Sequence, residues 1–378
     1  SPDMALLLVV GGSHLAAQYG RTIDAIRADG VEIAATVDMT PATDSGVATA
    51  EAMGRGVTGF ARAFADLAPD LAVVLGDRFE MLSAALAALP QRIPLAHIHG
   101  GELTEGALDD SIRHALTKLS HLHFVSTQEY ARRVISLGEE PWRVVVSGAP
   151  ALDNLRETPL MTREELDRAY GLRAGRSFLL MTYHPVTLEH ERTAERVDAV
   201  CRAIARADLP VVVTYPNADM GSAAIIERIQ AFAATRPDVR IATNLGTRGY
   251  FSMMAHAAAM VGNSSSGIIE AASFRLPVVN VGDRQQGRVR GANVLDCEPD
   301  EAAIDAAIGR ALAPGFRESL RDLRNPYGDG NAADRIVSTL ATIPFDGRLL
   351  RKRFHEDTRT SATAAGVDVA RPAAAGRA

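Results

Sequence analysis

A turn rich in glycine and serine, followed by an acidic residue, is the clearest candidate for a ligand site in this sequence. Residues 261–283 read VGNSSSGIIEAASFRLPVVNVGD: an apolar strand ends at Gly262, and Ser264 or Ser265 can cap the helix that follows. A helix start exposes unpaired N–H groups and a positive dipole end, which suit a phosphate. Glu270 would repel a phosphate but suits a neutral diol such as a ribose. The stretch therefore predicts a nucleoside diphosphate site, although an ordinary capped helix has the same pattern.

Cationic side chains are expected close to this stretch. Arg284 directly follows the next apolar strand, and Arg288 and Arg290 come soon after it in a glycine-rich loop. In a parallel sheet, the loops that follow neighbouring strands meet at one edge. These guanidinium groups are therefore predicted to lie beside the serine-capped helix start, where they would balance the charge of a diphosphate.

Apolar strands and helical segments alternate along the chain, which is typical of an α/β protein with parallel sheets covered on both faces. Because ligands of such sheets bind beyond the carboxyl ends of the strands, the polar residues at those ends are the candidate site. They are Asp77, Arg78, His97, His99, Glu102 and Asp109 in the first half, and His184, Asn217, Ser264, Ser265, Glu270 and Arg284 in the second. Two such halves face to face predict one cleft, with acids on one wall and nucleotide contacts on the other.

Composition excludes several classes of function. The chain has 378 residues, of which 47% are hydrophobic and 23% charged, and its net charge of −6 comes without a basic block that would suit nucleic acid or a membrane surface. Cys201 and Cys297 are far apart and lack metal-ligand spacing, which argues against disulfides and zinc and fits a reducing cytoplasm. The apolar run from Met4 to Val10 is too short to span a bilayer and predicts a buried strand.

Several sequence blocks occur in the order found in one known family: GDRFEMLSAA, HIHGGELTEGALDDSIRHALTKLSH, YHPVT, YPNAD, GNSSSGIIEAASF, VNVGDRQQGR and YGDGNA. From about Met4 to Arg351 the chain resembles the hydrolysing UDP-N-acetylglucosamine 2-epimerases of the sialic-acid pathway and their relatives. The resemblance implies two Rossmann-like domains of the GT-B type, with the active site in the interdomain cleft. It also implies conversion of UDP-N-acetylglucosamine to N-acetylmannosamine and UDP without a metal or nicotinamide, by a homodimer or homotetramer.

We place the domain boundary where the composition turns charged and polar, at residues 156–176. With the implied fold, the first Rossmann-like domain covers 1–155 and the nucleotide-binding domain covers 156–331. A helix within 332–352 would return toward the first domain, and 353–378 is predicted to be a disordered tail.

The resemblance also assigns roles to individual residues. Those that resemble catalytic groups are Asp77, Glu102, Asp109 with its neighbour Asp110, and His184, which lies near the diphosphate. Those that resemble substrate-binding groups are Arg78, the UDP contacts Asn217, Ser264, Ser265 and Arg284, and the ribose-binding carboxylate Glu270.

Two features depart from the family pattern. Members often carry an acid where His99 stands, so His99 is itself a candidate for one of the proton transfers. The family also begins with a strand and a Thr-Arg-Ala-Asp-Tyr-like loop that binds UDP, whereas this sequence starts after it. We expect that segment to precede Ser1 in the full protein.

The implied chemistry follows from the position of the reacting carbon. Inverting C2 of a sugar without a redox cofactor requires loss of its proton, which becomes acidic only as the bond between C1 and UDP breaks. Water then adds to the resulting 2-acetamidoglucal at C1, and a proton returns to the other face of C2. Two faces require two groups, which explains several acids in one wall. Arg284, the helix start and His184 can stabilise charge on the leaving diphosphate.

Other interpretations fit parts of the sequence. His97 and His99 with Glu102 have the spacing of metal ligands on one face of a strand. A GT-B glycosyltransferase would share the nucleotide half, and a non-catalytic nucleotide-sugar sensor would share both halves. Asp109 can simply cap its helix, and Asn217 can form an Asx-turn. The sugar is also open, because relatives act on UDP-linked diacetamido-trideoxy sugars or on other nucleotide carriers.

Overall fold

The structure is a computed structural model that describes residues 4–16, 21–43, 45–104, 108–172, 175–185, 192–216, 222–243 and 245–356. Strands and helices alternate through this part of the chain, and every strand pair is parallel. The predicted α/β class with parallel sheets is therefore confirmed. Asn217 lies outside the described residues.

The elements of the first half are β1 (Leu8–Gly11), α1 (Ile23–Ala28), β2 (Ile33–Val37), α2 (Gly46–Leu67), β3 (Ala72–Leu75), α3 (Phe79–Ala88), β4 (Leu95–Ile98), α4 (Leu108–Leu119), β5 (Leu122–Val125), α5 (Gln128–Ser136), β6 (Val144–Val146) and α6 (Asn154–Glu157). Strands β3, β4, β5 and β6 form a four-stranded sheet in that order, and β1 pairs separately with β2. Helix α2 buries Ala52, Phe60 and Phe64 at helical spacing, and this stripe packs with α3 over β2 and β3.

The elements of the second half are α7 (Arg163–Tyr170), β7 (Leu179–Thr182), α8 (Thr193–Arg206), β8 (Val211–Thr214), α9 (Ser222–Thr235), β9 (Val239–Ala242), α10 (Gly246–His256), β10 (Ala259–Gly262), α11 (Ser265–Ile269), β11 (Val278–Val281), β12 (Val294–Cys297), α12 (Glu301–Leu312) and α13 (Pro314–Ser319). The six strands lie in the order β12-β11-β10-β7-β8-β9. The central strands of this six-stranded sheet, β7 and β10, are buried at every position, because helices cover both faces.

The chain then returns to the first half through α14 (Ala332–Thr342) and α15 (Gly347–Leu350). Ile336 and Leu349 pack against the buried residues of β4 and β5. The fully buried Arg143 donates hydrogen bonds to the carbonyl oxygens of Leu349 (2.8 Å) and Arg351 (3.1 Å). These bonds fix the last described segment to the first sheet.

Residues 353–356, placed above in a disordered tail, make specific contacts instead. The His355 N–H donates to the Gly138 carbonyl oxygen at 2.9 Å, and the Phe354 ring lies 5.3 Å from the Lys118 ammonium group. The segment is held because the aromatic ring covers a backbone glycine and a cation. Residues 357–378 lie outside the described residues.

Two helices are short. Helix α1 begins only at Ile23, because Arg21 has a φ of 44°, which a continuous helix cannot contain. The helix predicted after Gly262 is only five residues long and passes at Glu270 into a 3₁₀ turn. None of the helices in the described ranges has the length and apolar character needed to cross a bilayer.

Candidate active site

The strand register brings the predicted polar residues of each half to one edge. Gly262, at the end of β10, pairs with Thr182 on β7 and with Asn280 on β11, so the loops that carry His184, Ser264 and Arg284 start at the same level. In the first sheet, Leu75, Ile98 and Phe124 lie side by side near the ends of β3, β4 and β5. Asp77, His99 and Ser126 follow these strand ends directly.

Asn263 ties the loops of the second half together. It is 1% exposed, its side-chain oxygen accepts from the His184 N–H (2.7 Å), and its amide group donates to the His184 carbonyl (2.9 Å). Its own carbonyl accepts from the Arg284 guanidinium (3.1 Å) and the Gln285 amide (2.9 Å). Sequence reasoning missed this residue, because a buried bridging asparagine has the same local signature as a turn asparagine.

The turn formed by residues 263–266, called the serine turn below, is shaped by Gly262 and by contacts between hydroxyl groups. Gly262 has a φ of 145°, which favours glycine, and it lies against the Thr182 backbone. Ser264 caps α11 through its hydroxyl oxygen, as predicted, and also contacts the Ser266 hydroxyl at 2.9 Å. The Ser266 hydroxyl in turn lies 2.6 Å from that of Tyr250. Ser265, the first residue of α11, is partly exposed.

Glu270 lies at the junction between α11 and the 3₁₀ turn, with one carboxyl oxygen buried and unbonded among the described residues. Burial raises the pKa of this carboxyl to about 7, although the positive charges of Arg288 and His99 oppose the increase. A buried, unsatisfied carboxyl oxygen is costly and requires an explanation. A ligand that offers hydroxyl donors would satisfy it.

On the other wall, the buried Arg113 of α4 holds the predicted acids in place. Its guanidinium pairs with Asp77 and with Asp110 (3.3 Å), and it donates to the Thr104 hydroxyl (2.9 Å) and the Glu102 carbonyl (2.9 Å). Arg113 is 2% exposed, so these charge-assisted bonds are shielded from water. Sequence reasoning missed it, because an arginine on an amphipathic helix usually faces solvent.

Glu102 is buried and fully engaged. One carboxyl oxygen lies 2.8 Å from His99 Nδ1 and accepts from the Ser126 hydroxyl (3.2 Å), and the other lies 3.7 Å from the Arg288 guanidinium. Burial alone would raise its pKa, but the hydrogen bond and charge of His99 and the charges of Arg288 and Arg113 lower the pKa to about 2. Glu102 is therefore ionised at neutral pH and orients the His99 ring.

The remaining predicted residues of this wall are more exposed. Arg78 precedes α3 and pairs with Glu80 at 3.2 Å, while its side chain stays 64% exposed. Asp109 lies in the first turn of α4 and is exposed. Both are accessible to a ligand.

Contacts between the halves place the two walls in one cleft. Arg288 of the second half reaches Glu102 of the first, and the Tyr130 hydroxyl lies 2.8 Å from the Tyr327 hydroxyl. The N–H of Val289 donates to the Tyr130 oxygen (3.1 Å), and its carbonyl accepts from Tyr327 (3.0 Å). The interdomain cleft predicted above is thus lined by Glu270 and Arg288 on one side and by His99 and Glu102 on the other.

The histidines of the proposed metal-ligand pattern point to different partners. His97 Nε2 lies 2.8 Å from the Gly76 carbonyl inside the sheet, whereas His99 contacts Glu102. Within the described ranges, no group of three histidine, cysteine or acidic residues is arranged to hold a metal ion.

Comparisons with known proteins agree with this geometry. The sequence family described as UDP-N-acetylglucosamine 2-epimerase matches residues 1–341. A UDP-N,N'-diacetylbacillosamine 2-epimerase (hydrolyzing) of Legionella pneumophila is 39% identical over 353 residues, covering 93% of this chain and 92% of that protein. A GDP/UDP-N,N'-diacetylbacillosamine 2-epimerase (hydrolyzing) of Campylobacter jejuni is 36% identical and covers 93% of this chain and 91% of its own.

The fold is also shared with solved structures. UDP-GlcNAc 2-epimerase from Neisseria meningitidis, solved bound to UDP-GlcNAc, matches with a TM-score of 0.75 at 19% identity, covering 89% of this chain and 100% of that chain. The likeness extends over both α/β halves and supports the predicted two-domain arrangement of the GT-B type.

Proposed function

Because the chain belongs to the UDP-N-acetylglucosamine 2-epimerase family, we propose that it is a hydrolysing 2-epimerase that releases UDP and a C2-inverted sugar from a UDP-linked 2-acetamido sugar. The observation on which this proposal depends is that different sets of polar residues from the two halves lie on opposite sides of one cleft. The unsatisfied carboxyl of Glu270 and the serine turn supply nucleotide contacts, and the ion pair between Arg288 and Glu102 brings them to the acids of the first half.

In the proposed reaction, a base removes the proton from C2 while the bond between C1 and UDP breaks, giving a 2-acetamidoglucal. Water adds at C1, and an acid returns a proton to the opposite face of C2. Asp77, which is partly exposed beside Arg113, and the exposed Asp109 take the base and acid roles in this proposal. Arg284 stabilises the charge that develops on the diphosphate.

We propose that Glu102 positions His99 in this scheme. Its carboxyl has a pKa of about 2, so it has no proton to give at neutral pH. It holds His99 Nδ1 at 2.8 Å, which leaves Nε2 of the ring as the nitrogen that can exchange a proton with substrate. His99 is thus a further candidate for one of the two proton transfers in this proposal.

The substrate we propose first is UDP-N,N'-diacetylbacillosamine. The support is the 39% and 36% identity, over more than nine-tenths of the chain, to proteins named for that activity. UDP-N-acetylglucosamine is the second candidate, supported by the fold shared with the Neisseria protein that binds it.

Proton NMR in heavy water with each nucleotide sugar tests the function. We expect UDP and a free sugar of inverted C2 configuration, with deuterium at C2, and no need for an acceptor sugar. UDP release that depends on an acceptor would identify a glycosyltransferase, and tight binding without turnover of either sugar would contradict an enzyme of this class.

Two variants distinguish the roles proposed for the two sides of the cleft. Glu270→Ala removes the proposed ribose contact and should mainly weaken UDP binding, whereas Asp109→Asn should mainly slow turnover with UDP affinity kept. The assignment of the walls is wrong if both variants change affinity alone.

A further inference from the structure

A second cavity lies between the two halves, away from the nucleotide contacts. It has a volume of about 1000 Å³, and its wall contains Ser126, Arg156, Ala272, Arg275 and Arg324, among others. None of the predicted UDP contacts in the described chain lines it. Its size is at the upper end of the range for small-molecule sites, about 300–1,000 Å³, so it can hold a metabolite.

The wall of this cavity is strongly cationic. It contains four arginines, Arg156, Arg275, Arg324 and Arg335, and a single acidic residue, Asp329. Asp329 is already neutralised, because Arg335 donates to both of its carboxyl oxygens at 2.8 and 2.7 Å. The positive charge of the other arginines is therefore not balanced from within the wall.

Two of these arginines, both exposed, have side chains that lack a partner within the part of the chain that the structure describes. Arg156 pairs with Asp334 at 3.4 Å, but neither the Arg275 nor the Arg324 guanidinium makes a hydrogen bond or ion pair with any residue of the described ranges. Both belong to the second half and face the same cavity. A planar guanidinium group without a partner is suited to bidentate recognition of phosphate or carboxylate.

The backbone at Arg275 adds to this argument. Arg275 ends the 3₁₀ turn with a φ of 52°, in the left-handed region where glycine or asparagine is usual. An arginine there is less favourable than a glycine would be. A contact between its side chain and an anionic ligand would favour arginine at this position.

Apolar side chains, together with several uncharged polar ones, also line the cavity. Leu155, Leu160 and Phe274 are partly or fully exposed to it, beside the cationic positions. Such a wall suits a ligand with a charged group and a less polar body, such as a sugar ring.

We propose that this cavity binds a small anionic metabolite whose phosphate or carboxylate group is held by Arg275 and Arg324. The site is separate from the proposed active centre but touches it at two points. Ser126, in the cavity wall, donates to Glu102, and Asn325, also in the wall, donates to the carbonyl of Ile269 at 2.7 Å, next to Glu270.

Titration calorimetry on the full chain, saturated with UDP to occupy the nucleotide contacts, tests the proposal. Inorganic pyrophosphate probes for a phosphate ligand and citrate for a carboxylate ligand. We expect at least one of them to bind, and the double variant Arg275→Ala, Arg324→Ala to weaken that binding by about tenfold or more. The probe that binds more tightly identifies the anionic group.

The matched control is Arg310→Ala with Arg321→Ala, which removes the same charge from exposed positions outside the cavity. It should leave probe binding within about twofold of the wild type. UDP affinity, measured for both double variants, reports that they are folded. The proposal is overturned if neither probe binds the wild type, if the cavity variant binds as the wild type does, or if the control loses as much affinity. Because turnover is not measured, these outcomes are independent of the proposed enzymatic activity.

Discussion

The cleft contains two buried carboxyls whose pKa values are shifted in opposite directions. Burial raises the pKa of Glu270 to about 7, whereas His99, Arg288 and Arg113 overcome burial at Glu102 and lower its pKa to about 2. The difference follows from hydrogen bonding, since Glu102 has protein partners and one oxygen of Glu270 has none among the described residues. Glu270 thus has a buried carboxyl oxygen that a ligand with hydroxyl donors would satisfy.

Glu270→Gln should stabilise the protein at alkaline pH. The pKa of this carboxyl is raised from its ordinary value of 4.5 to about 7, so its contribution to folding is greatest below 4.5 and is lost as pH rises through 7. At pH 8 the variant should gain about 3 kcal/mol in the free energy of unfolding, and close to nothing at pH 4. Urea unfolding at both pH values measures the difference. An equal effect at the two pH values would show that the carboxyl is not perturbed by burial.

Arg113→Met should slow turnover far more than it weakens UDP binding. The side chain holds Asp77 and Asp110, and its loss leaves both carboxylates without their buried partner, at a cost of about 3–5 kcal/mol in stability. Arg113→Lys should restore little, because an ammonium group cannot bridge several acceptors at once. Steady-state kinetics and UDP titration give the two quantities.

The exposed Arg132 of α5 provides the control for this experiment. Arg132→Met should change neither turnover nor stability measurably. If Arg113→Met loses UDP affinity in proportion to turnover, the separation of a catalytic wall from a nucleotide wall is wrong.

The sequence allowed the kinds of residue in the site to be predicted, but not the buried residues that hold them in place. Ser264 was predicted to cap its helix because serine at a strand-to-helix turn has few other uses, and it does. Asn263 and Arg113 went unnoticed because their roles depend on partners far along the chain, such as His184 and Asp77. Local sequence carries no information on such pairs.

At the scale of elements, the alternation of strands and helices was predicted because a fully covered strand is apolar at every position. The length of α11 could not be predicted in the same way. Serine and glycine have low helix propensity and occupy its first three positions, so the helix ends after five residues. The charged join was taken as a boundary, yet Thr162 and Glu165 form a capping box that starts α7 within it.

Gly262→Ala should disrupt the junction between β7, β10 and the serine turn. A Cβ at this position would lie 1.9 Å from the Thr182 carbonyl oxygen, and the φ of 145° excludes most side chains. The backbone must move, which we expect to cost about 3 kcal/mol or more and to abolish UDP binding. Thermal unfolding with and without UDP measures both effects.

Gly309 in α12 is the matched control, because nothing lies within 4 Å of a Cβ added there. Gly309→Ala should raise the stability by about 0.5–1 kcal/mol, since alanine favours a helix interior. Similar destabilisation by the two substitutions would mean that the close approach at Gly262 does not exist in solution.

At the scale of the whole molecule, polar contacts between residues distant in sequence join the two halves and fix the last described segment to the first half. Tyr130 and Tyr327 are 197 positions apart and share a hydrogen bond, and Arg143 bonds to the carbonyl of Leu349 across 206 positions. The sequence showed tyrosine and arginine near turns but gave no means of pairing them. The overall architecture could be expected only through the resemblance to a known family.

Tyr327→Phe tests whether these contacts keep the acids of the first half in position relative to the proposed nucleotide contacts of the second half. The Tyr327 hydroxyl donates to the Val289 carbonyl (3.0 Å) and lies 2.8 Å from the Tyr130 hydroxyl, all within a buried cluster. Its removal leaves a buried polar group unsatisfied, at a cost of about 1–3 kcal/mol. Because the predicted UDP contacts belong to the second half alone, turnover should fall while UDP affinity stays within about twofold.

Steady-state kinetics and UDP titration show whether this cluster fixes the relative position of the two halves or acts only on its immediate surroundings. Tyr170→Phe is the control, because its hydroxyl makes no hydrogen bond with the described residues and it lies wholly in the second half. That variant should match the wild type in turnover and in UDP affinity. If Tyr327→Phe also leaves turnover unchanged, the relative position of the halves does not depend on this cluster, and the ion pair between Arg288 and Glu102 must hold the cleft together without it.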